Sequence, residues 1–257
     1  MQTILAGFGY LGEKIALLML REKFSLTVVT RSGRRPEKNV PPDCKFVSCN
    51  LAEKSPVLER SDYDAAIFCL APGNGRRNGE SYRQTYCIAQ RNFLQDIKAQ
   101  HYVFISSTAV YPETAGRYDE SSAIAHSERA EILLAAEQIA LEQKHGCVLR
   151  LAGLYSADRP IYRAGAADYE DDKLVHFIHR DDAARAVLHA VTRRLTGIYN
   201  VHDGNPQLRS TILHALGDEK VPKELTARRL LDCGKFFASG FQPAFADYFA
   251  GIQEVQN

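Results

Sequence analysis

The sequence predicts an α/β fold laid on a parallel sheet, and three stretches carry that expectation. Gln2-Thr3-Ile4-Leu5-Ala6 is a short apolar run of the kind that forms a fully buried strand. Gly7-Phe8-Gly9-Tyr10-Leu11-Gly12 follows without a spacer, and Ile15, Leu18 and Met19 then recur at helical spacing. Ser25 to Thr30 is β-rich again, which completes a strand, helix, strand unit whose strands pair in parallel.

Each glycine of the turn has its own task in such a unit. Gly7 permits a sharp exit from the strand, Gly9 lets the backbone approach a pyrophosphate, and Gly12 lets the helix lie tight on the sheet. A ligand's negative charge would then meet the N–H groups at the helix N-terminus. Glycines alone also serve ordinary turns, so the flanking strand and helix carry the weight. With them, Gly7, Phe8, Gly9, Tyr10, Leu11 and Gly12 read as a dinucleotide cradle.

The tip of the second strand chooses the cofactor. A site for NAD usually sets an Asp or Glu about twenty residues past the glycines, on the ribose hydroxyls, whereas the extra phosphate of NADP needs cationic donors. Arg31 occupies that place, followed by Ser32, Gly33, Arg34 and Arg35. NADP(H) is therefore expected in preference to NAD(H), with a solvated basic turn as the plain alternative.

Composition sets wide bounds. The chain has 257 residues, enough for one large α/β domain with or without a small appendage. Hydrophobic residues make up 45% and charged residues 25%, and the net charge of +1 supplies no field for nucleic acid or anionic membrane. The six cysteines show no CxxC pair, several fall inside expected strands, and they read as reduced thiols of a cytoplasmic protein. A strand starting at Gln2 leaves no room for a signal peptide, and apolar runs such as Ile15 to Leu20 are too short to span a bilayer. The histidines lack the carboxylate or Cys spacing of a metal site.

Further along, a Pro-containing loop (Pro36, Pro41, Pro42) leads to a third strand, Lys45 to Cys49, then to Asn50 and Leu51. A fourth strand, Asp64 to Leu70, ends at Ala71-Pro72-Gly73, and the loop from Gly73 to Gly79 reads as an exposed loop or a lid. A helix is expected from about Glu80 to Lys98, then a fifth strand, Tyr102 to Ile105, delivering Ser106-Ser107-Thr108-Ala109-Val110-Tyr111 to the same sheet edge. In such sheets ligands bind at the carboxyl ends of the strands, so Asn50, Leu51, Leu70, Ala71, Pro72 and Ser106 are expected to line the cofactor. Gly146 to Arg150 reads as a sixth strand, Asp181 or Asp182 as the cap of a helix over Ala183 to Thr192, and Gly197 to Val201 as another strand. From Asp203 onward short helices are expected, broken by Pro206, Pro222, Gly234 and Pro243.

The glycine turn, the Ser-Ser-x-x-Val-Tyr strand end, Asp119-Glu120, the helix reaching Ala136-Glu137, Arg150-Leu151-Ala152-Gly153-Leu154-Tyr155 and Ile178-His179-Arg180-Asp181-Asp182-Ala183-Ala184 occur in one order along nearly the whole chain. In this they resemble the extended short-chain dehydrogenases, the NAD(P)-dependent epimerase/dehydratase group. The resemblance implies a doubly wound parallel sheet (Rossmann) with a small C-terminal substrate lobe. The dinucleotide-binding domain would take residues 1–152 and 174–202, and the lobe 153–173 and 203–257. That lobe is small for a bulky nucleotide sugar. Relatives of this kind often pair as homodimers through the helices near residues 80–100 and 125–144.

The resemblance also implies a catalytic set, of which only part is present. Ser107 stands where such enzymes place a Ser or Thr on the reacting oxygen. The following helix reads His126-Ser127-Glu128-Arg129-Ala130-Glu131-Ile132-Leu133, with no Tyr-x-x-x-Lys to carry the proton. Tyr10 to Lys14 and Tyr169 to Lys173 match that spacing by chance, away from Ser107. Tyr111 and His126 are the named substitutes, against the plainer roles of a packed phenol and a helix start. Arg150 and Tyr155 are held open between touching substrate and structural work, while His179 and Arg180 read as joining residues. The expected function is an NADP-dependent oxidoreductase or epimerase-like enzyme acting on a small polar substrate, an imine being easier than a ketone without a strong acid. The rival is a non-catalytic NADP(H)-binding sensor or scaffold.

Overall fold

The structure, a computed structural model, describes residues 1–36, 40–42, 44–73, 78–162, 171–217 and 224–253, with backbone alone at 171 and 224–227. Its central feature is a seven-stranded parallel sheet flanked by helices. In chain order the strands are β1 (Gln2–Ala6), β2 (Ser25–Thr30), β3 (Lys45–Ser48), β4 (Ala65–Phe68), β5 (Tyr102–Ser107), β6 (Gly146–Leu151) and β7 (Gly197–Val201). Across the sheet they run β7-β6-β5-β4-β1-β2-β3. The order reverses between β1 and β4, which is where doubly wound sheets open a crevice at the strands' carboxyl ends.

Register explains which residues reach that crevice. Gln2 pairs with Ser25 and Ala6 with Val29, while Ala6 also pairs with Phe68. Phe68 in turn pairs with Phe104, so β5 runs three residues beyond the end of β4. At about 3.3 Å per residue, Ser107 stands about 10 Å further along the strand axis than Phe104.

The chain divides into two compact units. The first comprises Met1–Val110, Ile124–Leu149 and Ala184–Ile198. Its core is the two-sided sheet interior: Ile4, Leu5, Ile67, Phe68, Val103 and Phe104 are wholly buried. Side chains of this size contribute about 1.5–3 kcal/mol each by leaving water. Helix α1 (Tyr10–Arg21) turns Leu11, Ile15, Ala16 and Met19 inward, the helical spacing legible in the sequence. Next come α2 (Gly79–Arg83), a π-helical stretch over Gln84–Ile88, α3 (Ala89–Leu94), then α4 (Glu128–Leu141) and the greater part of α5 (Arg180–Arg193).

The second unit comprises Tyr111–Ala123, Arg150–Ala183 and Tyr199–Asn257. Its core joins Tyr155, Tyr162, Phe177, Ile212, Leu213 and Tyr248. Short strands frame it: Gly116–Tyr118 pairs with Arg229–Leu231, and Gly153–Tyr155 with Phe177–His179, both in parallel. Asp171–Val175 lies between Gln207–Leu208 and Glu224–Ala227. Three short helices follow, α6 (Arg209–Ala215), α7 (Gly234–Ala238) and α8 (Tyr248–Ile252).

Several boundaries differ from the sequence reading. The expected Glu80 to Lys98 helix stops at Leu94, and Lys98 instead starts a two-residue strand beside Asp62–Tyr63. Helix α5 begins at Arg180, so Asp181 and Asp182 lie in its first turn rather than at a cap. Asp182 is drawn away by two other donors, accepting the amides of Ala244 (2.8 and 2.9 Å) and Phe245 (2.9 Å). Gly234 opens α7 instead of breaking a helix, and the region after Asp203 contains strands where the sequence pattern suggests only helix. Residues 74–77 of the Gly73 to Gly79 loop, residues 163–170 including Tyr169, and Pro222 lie outside the described residues.

Candidate functional site

The crevice at the β1 end is built by three glycines with different constraints. Gly7 leaves β1 at φ +101° and donates its N–H to the Val29 carbonyl at 2.9 Å. A Cβ there would stand 2.6 Å from the Cys69 carbonyl oxygen, so both backbone shape and space demand glycine. Gly12 packs on the turn itself: its Cβ would stand 2.9 Å from the Gly7 carbonyl carbon and nearer still to the oxygen. Gly9 is the opposite case. It is exposed, it occupies the N-cap of α1 with no side-chain cap, and a Cβ would meet nothing within 4 Å. Two glycines are thus required by the protein's own packing and one borders open space at the positive end of a helix.

Around this turn, Phe8 sets its ring edge-on to Phe46 at 5.2 Å between centroids, Leu11 is buried, and Tyr10 opens α1. At the tip of β2 the basic turn is held in shape by its own backbone and by β3. The Gly33 N–H donates to Thr30 Oγ1 (3.0 Å), the Arg34 N–H to Ser32 Oγ (3.2 Å), and Ser48 Oγ to the Arg31 carbonyl (3.1 Å). Gly33 has φ +63° and a Cβ would come within 2.7 Å of Ser48 Cβ. Arg35 is committed, its guanidinium donating to the carbonyls of Pro42 (3.0 Å), Val40 (2.7 Å) and Pro41. Arg31 and Arg34 are both exposed at this turn, and the Arg31 guanidinium makes no hydrogen bond or ion pair with any described residue.

The other strand ends fall as follows. The Asn50 carbonyl accepts the amides of Glu53 (2.9 Å) and Lys54 (3.2 Å), and the buried Leu51 accepts at its carbonyl from Asn92 Nδ2 (2.8 Å). Leu70 and Pro72 are half-buried and Ala71 is exposed. Ser106 turns inward, donating to Glu137 Oε1 at 2.5 Å, so only its backbone is left for the crevice. Ser107 is half-buried, and its Oγ accepts the Ala109 amide at 3.2 Å. That contact leaves the hydroxyl proton without a partner among the described residues.

His126 lies ahead of α4. It is exposed, Ser127 rather than His126 caps the helix, and the imidazole Nδ1 sits 3.1 Å from the Ile124 carbonyl oxygen. Arg129 places its guanidinium 5.3 Å from the centre of the Tyr82 ring.

Within the second unit, Tyr111 and Arg150 share one buried network. The Tyr111 hydroxyl donates to Asn200 Oδ1 (2.6 Å) and accepts from Arg150 Nη1 (2.7 Å), which also donates to the Glu120 carbonyl (2.8 Å). Asn200 donates through Nδ2 to the Asp232 carbonyl (2.9 Å) and through its amide to Glu120 Oε1 (2.9 Å). Burial raises the Tyr111 phenol above its ordinary pKa although Arg150 pulls it down. Tyr155 is wholly buried in the aromatic core, donates to the Asp247 carbonyl (2.9 Å), and is raised far above the usual tyrosine range by desolvation. All three polar side chains are thus engaged by internal partners.

Sequence reasoning missed two features. The π-helical stretch Gln84–Ile88 has no compositional signal, because one extra residue in a turn leaves the apolar pattern almost intact. The Ser106 to Glu137 bond joins two residues both noticed in the sequence but not as partners, since 31 positions separate them.

The residues suit a nicotinamide dinucleotide: an open glycine at a helix N-terminus, a preformed basic turn one strand away, and a Ser hydroxyl on a strand that runs past the end of β4. Among the described residues, no group of three His, Cys, Asp or Glu is set to hold a metal, and no helix is long and apolar enough to cross a membrane. The family model for the NAD dependent epimerase/dehydratase family matches residues 3–201. A Methylobacillus flagellatus structure described as an NAD-dependent epimerase/dehydratase superposes with a TM-score of 0.78 at 22% identity, covering 99% of this chain and 97% of that one. The UDP-glucose 4-epimerase of Thermus thermophilus, solved with NAD, gives 0.74 at 18%, covering 98% and 97%. The Bacillus cereus UDP-glucuronic acid 4-epimerase, also with NAD, gives 0.73 at 16%, covering 98% and 94%. At these identities the likeness concerns the fold. A comparison with curated proteins returns no match.

Proposed function

Because the chain belongs to the NAD dependent epimerase/dehydratase family, we propose that it binds NADP(H) at the β1 crevice and performs oxidoreductase or epimerase-like chemistry on a small polar substrate. The observation that carries the reading is Gly9, which borders open space at the α1 N-terminus while Gly7 and Gly12 are closed in by packing. In this reading the turn amides hold the diphosphate, and Arg31, seconded by Arg34, holds the 2′-phosphate that distinguishes NADP from NAD. Bound cofactor would supply hydride exchange with the substrate carbon. Ser107 donates its unengaged proton to the substrate oxygen or nitrogen and orients it, and water completes the proton transfer.

The sequence around α4 has no Tyr-x-x-x-Lys, and the Tyr111 hydroxyl has two internal partners, so this proton path is weaker than the family's usual one. Those same observations favour the second reading, a non-catalytic NADP(H) sensor. One experiment separates the two: NADPH fluorescence during titration of the purified protein, then with a panel of carbonyl and imine compounds. Turnover abolished by Ser107→Ala supports the enzyme; tight binding with no turnover across the panel supports the sensor. If neither NADPH nor NADH binds at millimolar concentration, both readings fail.

A further inference from the structure

The second unit buries two imidazoles against one residue's backbone. The Leu231 N–H donates to His176 Nε2 at 3.1 Å, and His202 Nε2 lies 3.0 Å from the Leu231 carbonyl oxygen. His202 Nδ1 accepts the Gly204 amide at 3.0 Å, with Cys233 Sγ at 3.7 Å. The ring centroids stand 5.0 Å apart at 75°, and each residue is at most 5% exposed.

These partners dictate the protonation state without further assumption. An amide can only donate, so His176 Nε2 must be a bare acceptor and its proton must sit on Nδ1, which is buried without a partner among the described residues. A carbonyl can only accept, so His202 carries its proton on Nε2 and leaves Nδ1 bare for Gly204. A second proton on either ring would set N–H against N–H.

We propose that His176 and His202 form an acid-labile latch: as neutral rings they hold the strand Arg229–Leu231 in place, and protonation of either one releases it. The latch reaches the rest of the unit through that strand. Arg229–Leu231 pairs with Gly116–Tyr118, Arg229 bonds Glu113 (2.9 Å) and the Tyr111 carbonyl (3.4 Å), and Arg117 bonds Asp232 (2.7 Å). Release therefore strips Gly116–Tyr118 of its strand partner and Tyr111 and Glu113 of their Arg229 contacts.

The groups facing the rings agree with this. Burial, then the neighbouring His202 and the Arg229 cation, bring His176 down to about 3. Burial brings His202 down to about 4, opposed by the Leu231 carbonyl bond and by Asp232. Burial, then Asp232 and more weakly Asp203 and Glu120, push Cys233 up to about 12, so it stays a thiol. In the released strand both rings regain an ordinary pKa near 6.5, so below that value each adds about tenfold to the opening equilibrium per pH unit.

The test is amide exchange at Leu231 and its strand neighbours from pH 6.5 to 4.5, corrected for intrinsic exchange, in wild type, His176→Gln, His202→Gln and the double variant. A Gln oxygen accepts the Leu231 amide as Nε2 does but cannot titrate. Wild type should open with a slope two protons steeper than the double variant, and His176→Gln with one fewer than wild type. Comparing variants cancels Asp203 and Asp232. Equal slopes in wild type and His176→Gln, or an opening that does not change with pH, would overturn the latch. If His176→Gln fails to fold, the His202→Gln slope and the wild-type nitrogen shifts decide: His176 must carry its proton on Nδ1 and His202 on Nε2.

Discussion

At the scale of single residues the structure separates side chains free to meet a ligand from those already engaged. Arg31→Ala removes an exposed guanidinium at the preformed turn and should weaken NADPH about 10- to 100-fold, the worth of a charge-assisted phosphate contact. NADH should change little; equal losses by calorimetry would refute the phosphate role. Tyr111→Phe deletes a hydroxyl that serves Asn200 and Arg150, so about 1–3 kcal/mol of stability should be lost in urea titration. An unchanged midpoint with abolished turnover would instead make the phenol a proton carrier. Gly12→Ala should destroy nucleotide binding, because the new methyl collides with the Gly7 backbone rather than with a movable side chain.

At the scale of elements, legibility followed locality. The β1, glycine turn, α1 unit was readable because glycine placement and helical periodicity lie within twenty residues, and β2 and β7 emerged at the expected bounds. The end of the helix after Gly79 was not, since it is cut short by Lys98 pairing with Asp62, a contact 36 residues away. Asp181 and Asp182 misled for a similar reason: a carboxylate near a helix start signals a cap, yet Asp182 answers amides 62 and 63 residues further on. The pairing of β5 with α4 through Ser106 and Glu137 gives a prediction of its own. Ser106→Ala leaves the buried carboxylate without its 2.5 Å donor and should lower stability by about 1–3 kcal/mol; Glu137→Gln, which buries no charge, should cost less.

At the scale of the whole molecule, titration should show in stability through groups of opposite sign within the second unit. His176 and His202 have depressed values, so their contribution is complete above about 6.5 and is lost as pH falls toward about 4 and 3. Asp203 is raised to about 7, first by burial and then by Asp247 and Asp182, and its Oδ2 has no partner among the described residues. Its contribution is complete below the ordinary carboxylate value and is lost as pH rises toward 7. Two groups against one give a stability that climbs from pH 4 to about 6.5 and then dips to a plateau above 7. Asp203→Asn should remove the dip, as read by urea midpoints across pH 4 to 8; a dip that survives would point to another group.

What the sequence determined alone was the order of chemistry along the chain: the glycines that close a turn, the arginines twenty residues on, the Ser at a strand end and a following helix without Tyr-x-x-x-Lys. Each of these is a local property, set by backbone conformation or by which functional groups a short stretch contains. Tertiary structure alone decided engagement. Ser106, Tyr111, Arg150 and Tyr155 carry groups suited to ligands, and long-range partners occupy them; Arg31 and Ser107 retain theirs. The reason is that leaving a buried polar group unpaired is costly, and the partner that relieves the cost is chosen by packing among residues far apart in the chain.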